Sequence, residues 1–173
     1  MRPKLDQLES YIYSIFEYLH SRPEVSWKEY ETAAFIEKRL SEEGIRCKPF
    51  SSIPGLVAEI GSGKPIIAVR ADMDALWQEC NGTYKANHSC GHDAHMAMVV
   101  GVAMLLNELE NLDKGTVRFI FQPAEETGEG AKAVTSLGIV DDVDYLYGVH
   151  LRPIEELPLG MAAPSINHGA TSH

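Results

Sequence analysis

The sequence is short of basic residues, of cysteines and of long apolar runs, and each shortage excludes a class of protein. Fifteen Lys and Arg stand against 25 Asp and Glu, which leaves a formal net charge of −10 and no basic cluster able to follow a phosphate backbone. Three cysteines cannot all pair within one chain, so the disulfide framework of a small secreted domain is disfavoured. The longest apolar runs, near 66–69 and 96–106, are shorter than the roughly 18 residues that a membrane span needs. We therefore expect no nucleic-acid partner, no membrane segment and a soluble protein of the cytoplasm.

What is present is a chain of 173 residues, 45% of them hydrophobic, which is enough to build one core. Apolar residues at helical spacing predict a first helix over 5–19. A second is predicted after Ser26 and Glu29, whose spacing is that of a capping box, and it ends at Gly44, where a C-terminal cap belongs. A third is predicted from about 93–110. Each helix has an apolar face that must be buried against a second layer.

Dense apolar segments predict the strands of that second layer. Segments 56–60 and 65–70 are joined by a short turn and predict two neighbouring strands. Segments 116–122 and 145–151 predict two more, and 128–137 predicts a short helix. Strands that alternate with helices indicate an α/β fold, with three layers in the order helix, sheet, helix. The short turn of the first strand pair indicates that the central sheet is mixed.

The segment 88–95 (HSCGHDAH) contains five side chains that can bind a metal ion within eight positions. A single Cys or His is more often a core or surface residue, so it is the density that favours a metal site. Cys90 and His92 are two positions apart, which places both side chains on one side of an extended or turning loop. Gly91 lies between them at the start of a helix, where backbone amides favour a thiolate. We predict that Cys90 and His92 are metal ligands.

Two adjacent glutamates, Glu125 and Glu126, directly follow a predicted strand within QPAEETGEGA (122–131). One interpretation is a solvated acidic turn. The other is a site in which Glu126 binds a cation that offsets the repulsion, while Glu125 accepts a proton from a metal-held water. The position at a strand end favours the second, because ligands of open α/β sheets bind outside the carboxyl ends of the strands.

Two other strand ends carry residues of the same kind. Asp72 and Asp74 follow the segment 65–70, and His150 lies at the end of 145–151. Each is a weak signal alone, since a histidine at a strand end is usually a hydrogen-bonded, partly buried residue. Together the strand-end loops supply the side chains of a hydrolytic metal site assembled by a sheet.

The motifs ADMDAL (71–76), HSCGHDAHMAM (88–98), QPAEETGEGA (122–131) and GVHLRP (148–153) occur in this order. They closely resemble the metal-dependent amidohydrolases of the zinc-dependent exopeptidase superfamily, which include N-acyl amino acid aminoacylases, hippurate hydrolases and auxin-conjugate hydrolases. The resemblance covers essentially the whole chain. It implies a hydrolase that cleaves the amide bond of an N-acyl amino acid or of a related small amide or peptide.

The resemblance also implies a role for each motif residue. Two divalent metal ions, zinc or manganese, would have as their ligands Cys90, His92, Glu126 and His150. The thiolate of Cys90 would bridge the ions, and Asp74 would orient one of the ligands. Glu125 would be the general base that takes a proton from the metal-activated water and passes it to the leaving amine. No role follows for Asp72, His88 or His95.

Members of that family are about twice as long, with a lid or dimerisation domain inserted in the catalytic domain. The resemblance therefore implies that residues 1–165 are the N-terminal part of a catalytic domain and that 166–173 are a tail or the start of a linker. The relatives' last histidine ligand has no counterpart, since neither His168 nor His173 lies in a matching motif. Trp77 stands where most relatives have proline, so the wall of the pocket is expected to differ there.

Two other hypotheses stay open at this point. In one, the chain is a fragment that folds and binds metal without turnover. In the other, Cys90 is a nucleophile activated by His92 or His150, and no metal takes part. The expected partner is a small N-acyl amino acid, and a homodimer of the full-length protein is a candidate assembly.

Overall fold

The protein contains a five-stranded sheet with helices on both faces. The structure is a computed structural model that describes residues 2–108 and 114–163. The helices are α1 (Arg2–His20), α2 (Tyr30–Glu42), α3 (His92–Glu108) and α4 (Gly130–Ser136). The strands are β1 (Arg46–Pro49), β2 (Leu56–Ser62), β3 (Ile66–Asp72), β4 (Leu76–Cys80), β5 (Thr83–Asn87), β6 (Gly115–Gln122) and β7 (Tyr145–Gly148). Among the described residues two helices are followed by five strands, and helices and strands alternate from α3 to β7, so the predicted α/β composition is confirmed while the alternation is confined to the second half.

The order of strands across the sheet is β1-β2-β6-β3-β7. Pairing is antiparallel from β1 to β6, whereas β3 is parallel to both β6 and β7. The prediction of a mixed sheet is confirmed, but the predicted pairing of 56–60 with 65–70 is wrong, because β6 lies between them. Phe119 and Ile120 of β6 belong to the cores on opposite faces of the sheet and are both buried. A strand that is buried on both faces takes a central position with neighbours on both edges.

The larger core lies between one face of the sheet and helices α1, α2 and α3. Ile15 of α1, Leu40 of α2 and Met96 and Val100 of α3 are almost fully buried in it, together with Phe119 of β6. The apolar face predicted for the third helix is thus buried against a second layer. This packing fixes the start of α3, which carries the HSCGHDAH motif, against the end of β3.

The smaller core lies on the opposite face, beneath α4. Val134 of α4 packs there with Val57 of β2, Ala68 of β3 and Ile120 of β6. The predicted three layers of helix, sheet and helix are confirmed.

The start of α2 differs from the prediction of a capping box. Ser26 Oγ does not cap the helix but donates a hydrogen bond to Asp74 Oδ2 over 2.6 Å. The carboxylate of Glu24 instead accepts the N–H of Thr32 (2.7 Å), and Glu29 makes no side-chain cap. A buried carboxylate at a strand end attracts the serine hydroxyl more strongly than the helix start does, because its charge must be satisfied.

The end of α2 agrees with the prediction. Gly44 has φ +75°, and its N–H bonds to the carbonyl of Ser41 while the N–H of Ile45 bonds to that of Leu40. This pattern is a Schellman motif, which needs the left-handed backbone that glycine adopts without strain.

Several boundaries and elements differ from the sequence prediction. Strand β1 and the hairpin of β4 and β5, which forms a separate two-stranded sheet, were not predicted. Strand β7 ends at Gly148, so His150 lies in the following loop and not in the strand. The predicted end of the third helix at residue 110 and the predicted tail 166–173, with His168 and His173, lie outside the described residues. The domain division at residue 165 stays a prediction.

Within the described part of the chain, no helix combines the length and the apolar character that crossing a membrane requires.

Candidate metal centre

The predicted site residues come together at one edge of the sheet. Strands β3, β6 and β7 are parallel, so their carboxyl ends lie at the same edge. The loops that follow them carry Asp74, the pair Glu125 and Glu126, and His150, respectively. Helix α3 begins beside these loops and presents His92 from its first residue. The parallel register therefore explains why residues far apart in sequence share one site.

Three overlapping groups of side chains have ligand atoms within 4.8 Å of one another. The groups are Cys90, His92 and His150; His92, Glu125 and Glu126; and Asp72, His92 and His95. The first two groups contain all the predicted ligands and the predicted base. His92 belongs to every group, so it is the centre of the cluster. The third group, which contains Asp72 and His95, was not predicted.

His92 is fully buried and has a fixed orientation. Its Nδ1–H donates a hydrogen bond to the main-chain oxygen of Asp74 over 2.8 Å. In the neutral ring Nε2 therefore carries the lone pair, and this atom is buried without a hydrogen-bond partner. Glu126 Oε1, 3.8 Å away, is also buried without a partner. Buried polar atoms are almost always paired, so two unpaired ligand atoms that face one space fit a site for a cation.

Asp74 joins three parts of the chain through its carboxylate, which is fully buried. Its oxygens accept the hydroxyl of Ser26 (2.6 Å) and the backbone N–H groups of Glu125 (3.1 Å) and Glu126 (2.9 Å). The side chain predicted to orient one ligand thus also holds the backbone of the two glutamates. The sequence signal for this contact was Ser26, which the capping-box interpretation assigned to the helix.

Asp72 and His95 form a second buried network. Asp72 Oδ2 accepts a hydrogen bond from Arg70 Nη1 (2.6 Å), and Asp72 Oδ1 lies 2.6 Å from His95 Nδ1. His95 Nε2 accepts the N–H of Leu151 over 2.9 Å. Leu151 follows His150, so this network reaches the loop of a predicted ligand. No pattern in the sequence indicated that contact, because Leu151 takes part only through its backbone.

Cys90 and His150 lie beside each other at the open side of the cluster. The Sγ of Cys90 is 3.6 Å from Nε2 of His150. The Nδ1 of His150 faces the carbonyl oxygen of Leu151, and this contact leaves Nε2 directed at the thiol. Both side chains are partly exposed, in contrast to His92.

Neighbouring groups favour the ionised forms of the two aspartates. Burial opposes the ionisation of Asp72, but the hydrogen bond from His95 and the charge of Arg70 outweigh burial and lower its pKa. Burial opposes the ionisation of Asp74 as well, and hydrogen bonds from His92 and a serine hydroxyl lower the pKa of that carboxyl. The two buried aspartates, Asp72 and Asp74, therefore carry negative charge beside the proposed metal ligands.

Cys90 and Glu126 have the opposite tendency. Burial raises the pKa of the Cys90 thiol to about 12, and the hydrogen bond with Glu126 acts in the same direction. Burial also raises the pKa of Glu126. Both groups favour their protonated forms beside the charged aspartates, and a bound cation would favour their ionised forms.

Glu29 is a buried acidic residue that the sequence analysis did not connect with the site. It is fully buried, and its Oε1 accepts the N–H of Ala124 over 2.7 Å. Ala124 has φ +52°, a left-handed conformation that is unfavourable for alanine and must be held by its surroundings. Ala124 immediately precedes the glutamate pair, so Glu29 supports the backbone that carries the predicted base.

His88 is buried beside the cluster but joins none of the ligand groups found among the described residues. Neither of its ring nitrogens has a hydrogen-bond partner, and burial lowers the pKa of His88 to about 4. A neutral imidazole is therefore expected there. Glu129, the residue before α4, is exposed.

Comparison with known proteins gives consistent matches. Residues 68–163 match the profile of "Peptidase family M20/M25/M40". An N-acetyl-L-cysteine deacetylase of Bacillus subtilis is 43% identical over 158 residues, which cover 86% of this chain and 38% of that protein. An IAA-amino acid hydrolase of Arabidopsis thaliana is 43% identical over 144 residues, covering 79% of this chain and 31% of that protein.

A similar structure is that of a Bacillus subtilis protein described as a dinuclear metal-binding peptidase of the M20 family. It superposes with a TM-score of 0.79 at 39% identity, covering 86% of this chain and 44% of that chain. The resemblance drawn from the ordered motifs is thereby confirmed. The chain spans between 31% and 42% of the length of the curated relatives.

Proposed function

Because the chain belongs to peptidase family M20/M25/M40, we propose that it carries the metal centre of a hydrolase that cleaves N-acyl amino acids or related small amides and peptides. The observation that carries this proposal is the convergence of Cys90, His92, Glu126 and His150 at one edge of the sheet. Two of these side chains have buried ligand atoms without partners. A site for a cation accounts for both facts.

The donor set suits two divalent cations. Cys90 Sγ lies 3.6 Å from His150 Nε2, and Glu126 Oε1 lies 3.8 Å from His92 Nε2. Thiolate and imidazole ligands favour zinc, whereas carboxylates also suit manganese. The similar Bacillus subtilis structure is described as dinuclear, which supports two ions. Cys90, His92, Glu126 and His150 would hold these ions, with the Cys90 thiolate as their sulfur ligand.

Bound divalent cations would supply positive charge that polarises the scissile carbonyl and lowers the pKa of water. Glu125 is placed for proton transfer, since its Oε2 is 3.8 Å from His92 Nε2 and its side chain is 38% exposed. As the water oxygen bonds to the carbonyl carbon, Glu125 takes the water proton. When the carbon–nitrogen bond breaks, the same carboxyl gives a proton to the leaving amine.

The buried aspartate Asp74 keeps this arrangement rigid. It accepts the N–H groups of Glu125 and Glu126 and therefore fixes the base relative to the proposed ligand. The main-chain oxygen of the same residue fixes the tautomer of His92. Groups that hold ligands in this way strengthen metal binding, so Asp74 serves the reaction without contacting the substrate.

The names of the relatives support an N-acyl amino acid as substrate. One acts on N-acetyl-L-cysteine, and another acts on conjugates of an amino acid with IAA. Both substrates join an acyl group to the nitrogen of an amino acid. We propose the same class of substrate here.

The adjacent glutamates provide a matched pair of variants for testing this function. Glu125→Gln should keep its metal content and lose at least about 100-fold in kcat on an N-acetyl amino acid, because it removes the base. Glu126→Gln should lower the metal content, because an amide is a poor ligand for zinc. Elemental analysis and a ninhydrin assay of the released amino acid measure the two quantities. Equal loss of metal in both variants would show that the two roles are assigned wrongly.

The 3.6 Å separation of Cys90 Sγ and His150 Nε2 also suits a cysteine nucleophile with a histidine base. Hydrolysis that survives complete chelation would favour this second candidate. Metal binding without any turnover would favour a non-catalytic metal-binding chain. Turnover that is lost on chelation and restored by zinc or manganese would support the proposed function.

A further inference from the structure

We propose that His95 is a positioning residue for His150: oriented by Asp72, it holds the backbone N–H of Leu151 and so presents the imidazole of His150 to Cys90. The inference rests on the proposed function and extends it to two residues for which the motif resemblance implies no role. His95, Asp72 and the loop after β7 are the parts of the molecule concerned.

The ring of His95 has both of its nitrogens in use. It is fully buried, with Nδ1 2.6 Å from Asp72 Oδ1 and Nε2 2.9 Å from the nitrogen of Leu151. The amide of Leu151 can only donate, so Nε2 must be the acceptor and Nδ1 must carry the proton. The Nδ1–H group of His95 donates a short, charge-assisted hydrogen bond to the carboxylate of Asp72. This assignment leaves no lone pair on His95 for a cation.

Residues of the sheet fix the orientation of Asp72. Its other oxygen accepts Arg70 Nη1 over 2.6 Å, and Arg70 Nε donates to Gln122 Oε1 over 3.1 Å. Asp72 and Gln122 are the last residues of β3 and β6, and both are almost fully buried. The orientation of His95 is therefore fixed by two neighbouring parallel strands as well as by α3.

The loop that carries His150 lacks the support of the sheet. Strand β7 ends at Gly148, and its pairing with β3 extends from Tyr145 to Gly148 only. Beyond that point the N–H of Leu151 bonds to His95, and the side chain of Leu151 lies over Gly91. A Cβ on Gly91 would be 3.2 Å from Leu151 Cδ1, which shows how closely the loop is seated.

The seating of the loop decides where His150 points. The rings of His95 and His150 are in edge-to-face contact with centroids 4.7 Å apart. His150 Nε2 is also 3.6 Å from Cys90 Sγ, a separation that allows both atoms to bind one ion. Without the hydrogen bond to Leu151, the loop would lose the polar contact that fixes this separation.

Two substitutions of His95 separate positioning from folding. In His95→Gln, the longer side chain can still bring an oxygen to the N–H of Leu151. In His95→Asn, the shorter side chain can donate to Asp72 but falls short of Leu151. Both variants place an amide at the same buried position, so general destabilisation should affect them alike.

Cobalt(II) is a suitable probe, because a cobalt–thiolate absorption band reports binding at Cys90. We expect His95→Asn to weaken cobalt binding by about 10- to 100-fold, the usual cost of removing a group that orients a metal ligand. His95→Gln should stay within a few-fold of the unmodified protein, and both should bind the same number of ions. In the metal-free protein, hydrogen exchange of the Leu151 amide should be faster in His95→Asn than in His95→Gln.

Each other result would overturn the inference. Unchanged cobalt affinity in His95→Asn would mean that His95 does not position His150. The proposed function would stand in that case, because the unmodified protein would still bind cobalt. Loss of one bound ion in both variants would make His95 a ligand. Equal losses of affinity and of melting temperature in both would reduce its role to packing. No cobalt binding by the unmodified protein would refute the proposed function and this inference together.

Discussion

At the scale of single residues, the buried carboxylates differ in what balances their charge. Asp72 is bound by Arg70 and a histidine, and Asp74 by a hydroxyl and backbone amides. Glu29 accepts the N–H of Ala124 on Oε1, while its Oε2 is buried without a hydrogen-bond partner. Burial therefore dominates at Glu29 and raises its pKa to about 7.

The raised pKa of Glu29 makes the stability of the protein depend on pH. The folded state binds the proton more tightly than the unfolded state, so this contribution is full below the ordinary pKa near 4.5 and is lost as the pH rises through 7. Ionisation of Glu29 should lower the free energy of unfolding of the unmodified protein by about 3 kcal/mol between pH 4.5 and 8, and Glu29→Gln should abolish this decrease. Urea unfolding of metal-free protein at several pH values measures it, with exposed Glu129→Gln as the control. An identical pH dependence in all three proteins would contradict this account of Glu29.

The contact between Ser26 and Asp74 gives a second residue-scale prediction. Ser26→Ala should cost about 1 kcal/mol in the free energy of unfolding through the lost hydrogen bond to the carboxylate. A double-mutant cycle with Asp74→Asn should show a coupling of similar size. If Ser26 instead capped α2, the two substitutions would be additive, which would contradict the observed contact.

At the scale of elements, the strand-end loop after β6 depends on the close approach of α4. The N–H of Gly130 bonds to the carbonyl of Ala124, and a Cβ on Gly130 would overlap the carbonyl oxygen of Pro123. Backbone atoms cannot move aside as a flexible side chain can. The first residue of α4 must therefore be glycine if the glutamate pair is to keep its position.

Gly130→Ala should accordingly lower both stability and metal binding. We expect a loss of about 3 kcal/mol in the free energy of unfolding, the upper range for overpacking, and weaker zinc binding by isothermal titration calorimetry. Ala131→Ser, one position further along α4 and exposed, is the matched control and should change neither quantity. A stable Gly130→Ala variant with normal zinc affinity would contradict the proposed coupling of α4 to the site.

Elements with strong local signals could be predicted from the sequence, and those fixed by distant contacts could not. Helical periodicity located α1 and α3, and Gly44 located the end of α2. The neighbours of β2 and β3 were predicted wrongly, because the short turn between them suggested a hairpin while the dense apolar β6 takes the place between them. Strands β4 and β5 have five residues each and contain no fully buried residue, so they lack the dense apolar run that marked β2, β3 and β6.

The candidate site shows the same division. The density of metal-binding residue types in 88–95 and their presence after two strands made Cys90, His92, Glu126 and His150 candidate ligands, because that chemistry is visible in the side chains themselves. The supporting role of Glu29 could not be recognised, since it acts on a backbone amide 95 residues away.

At the scale of the whole molecule, the matched family segment does not contain everything that builds the site. Residues 68–163 include all the proposed ligands and the base. Ser26 and Glu29 lie before that segment. Ser26 donates a hydrogen bond to Asp74 in the loop after β3, and Glu29 accepts the N–H of Ala124 in the loop after β6. The loop before α2 is therefore part of the same functional unit as the matched segment.

Metal binding should stabilise the whole fold, since the proposed ligands come from three separate loops and from the start of α3. Zinc at 100 times its dissociation constant would add about 2.7 kcal/mol to the free energy of unfolding. We expect a rise in melting temperature with zinc and a fall with a chelator, followed by differential scanning calorimetry. Magnesium, which prefers oxygen ligands and retains its water, is the control and should have little effect. A melting temperature that changes neither with zinc nor with the chelator would contradict the proposed coupling between metal binding and folding.

The central claim is that Cys90, His92, Glu126 and His150 bind divalent cations at the carboxyl edge of the sheet. The most direct measurement is anomalous X-ray diffraction at the zinc absorption edge from crystals grown with zinc. We expect anomalous peaks about 2.0–2.3 Å from Cys90 Sγ, His92 Nε2 and His150 Nε2, with Glu126 completing the ligand set. Absence of anomalous density at this cluster, or peaks held by other residues, would contradict the account.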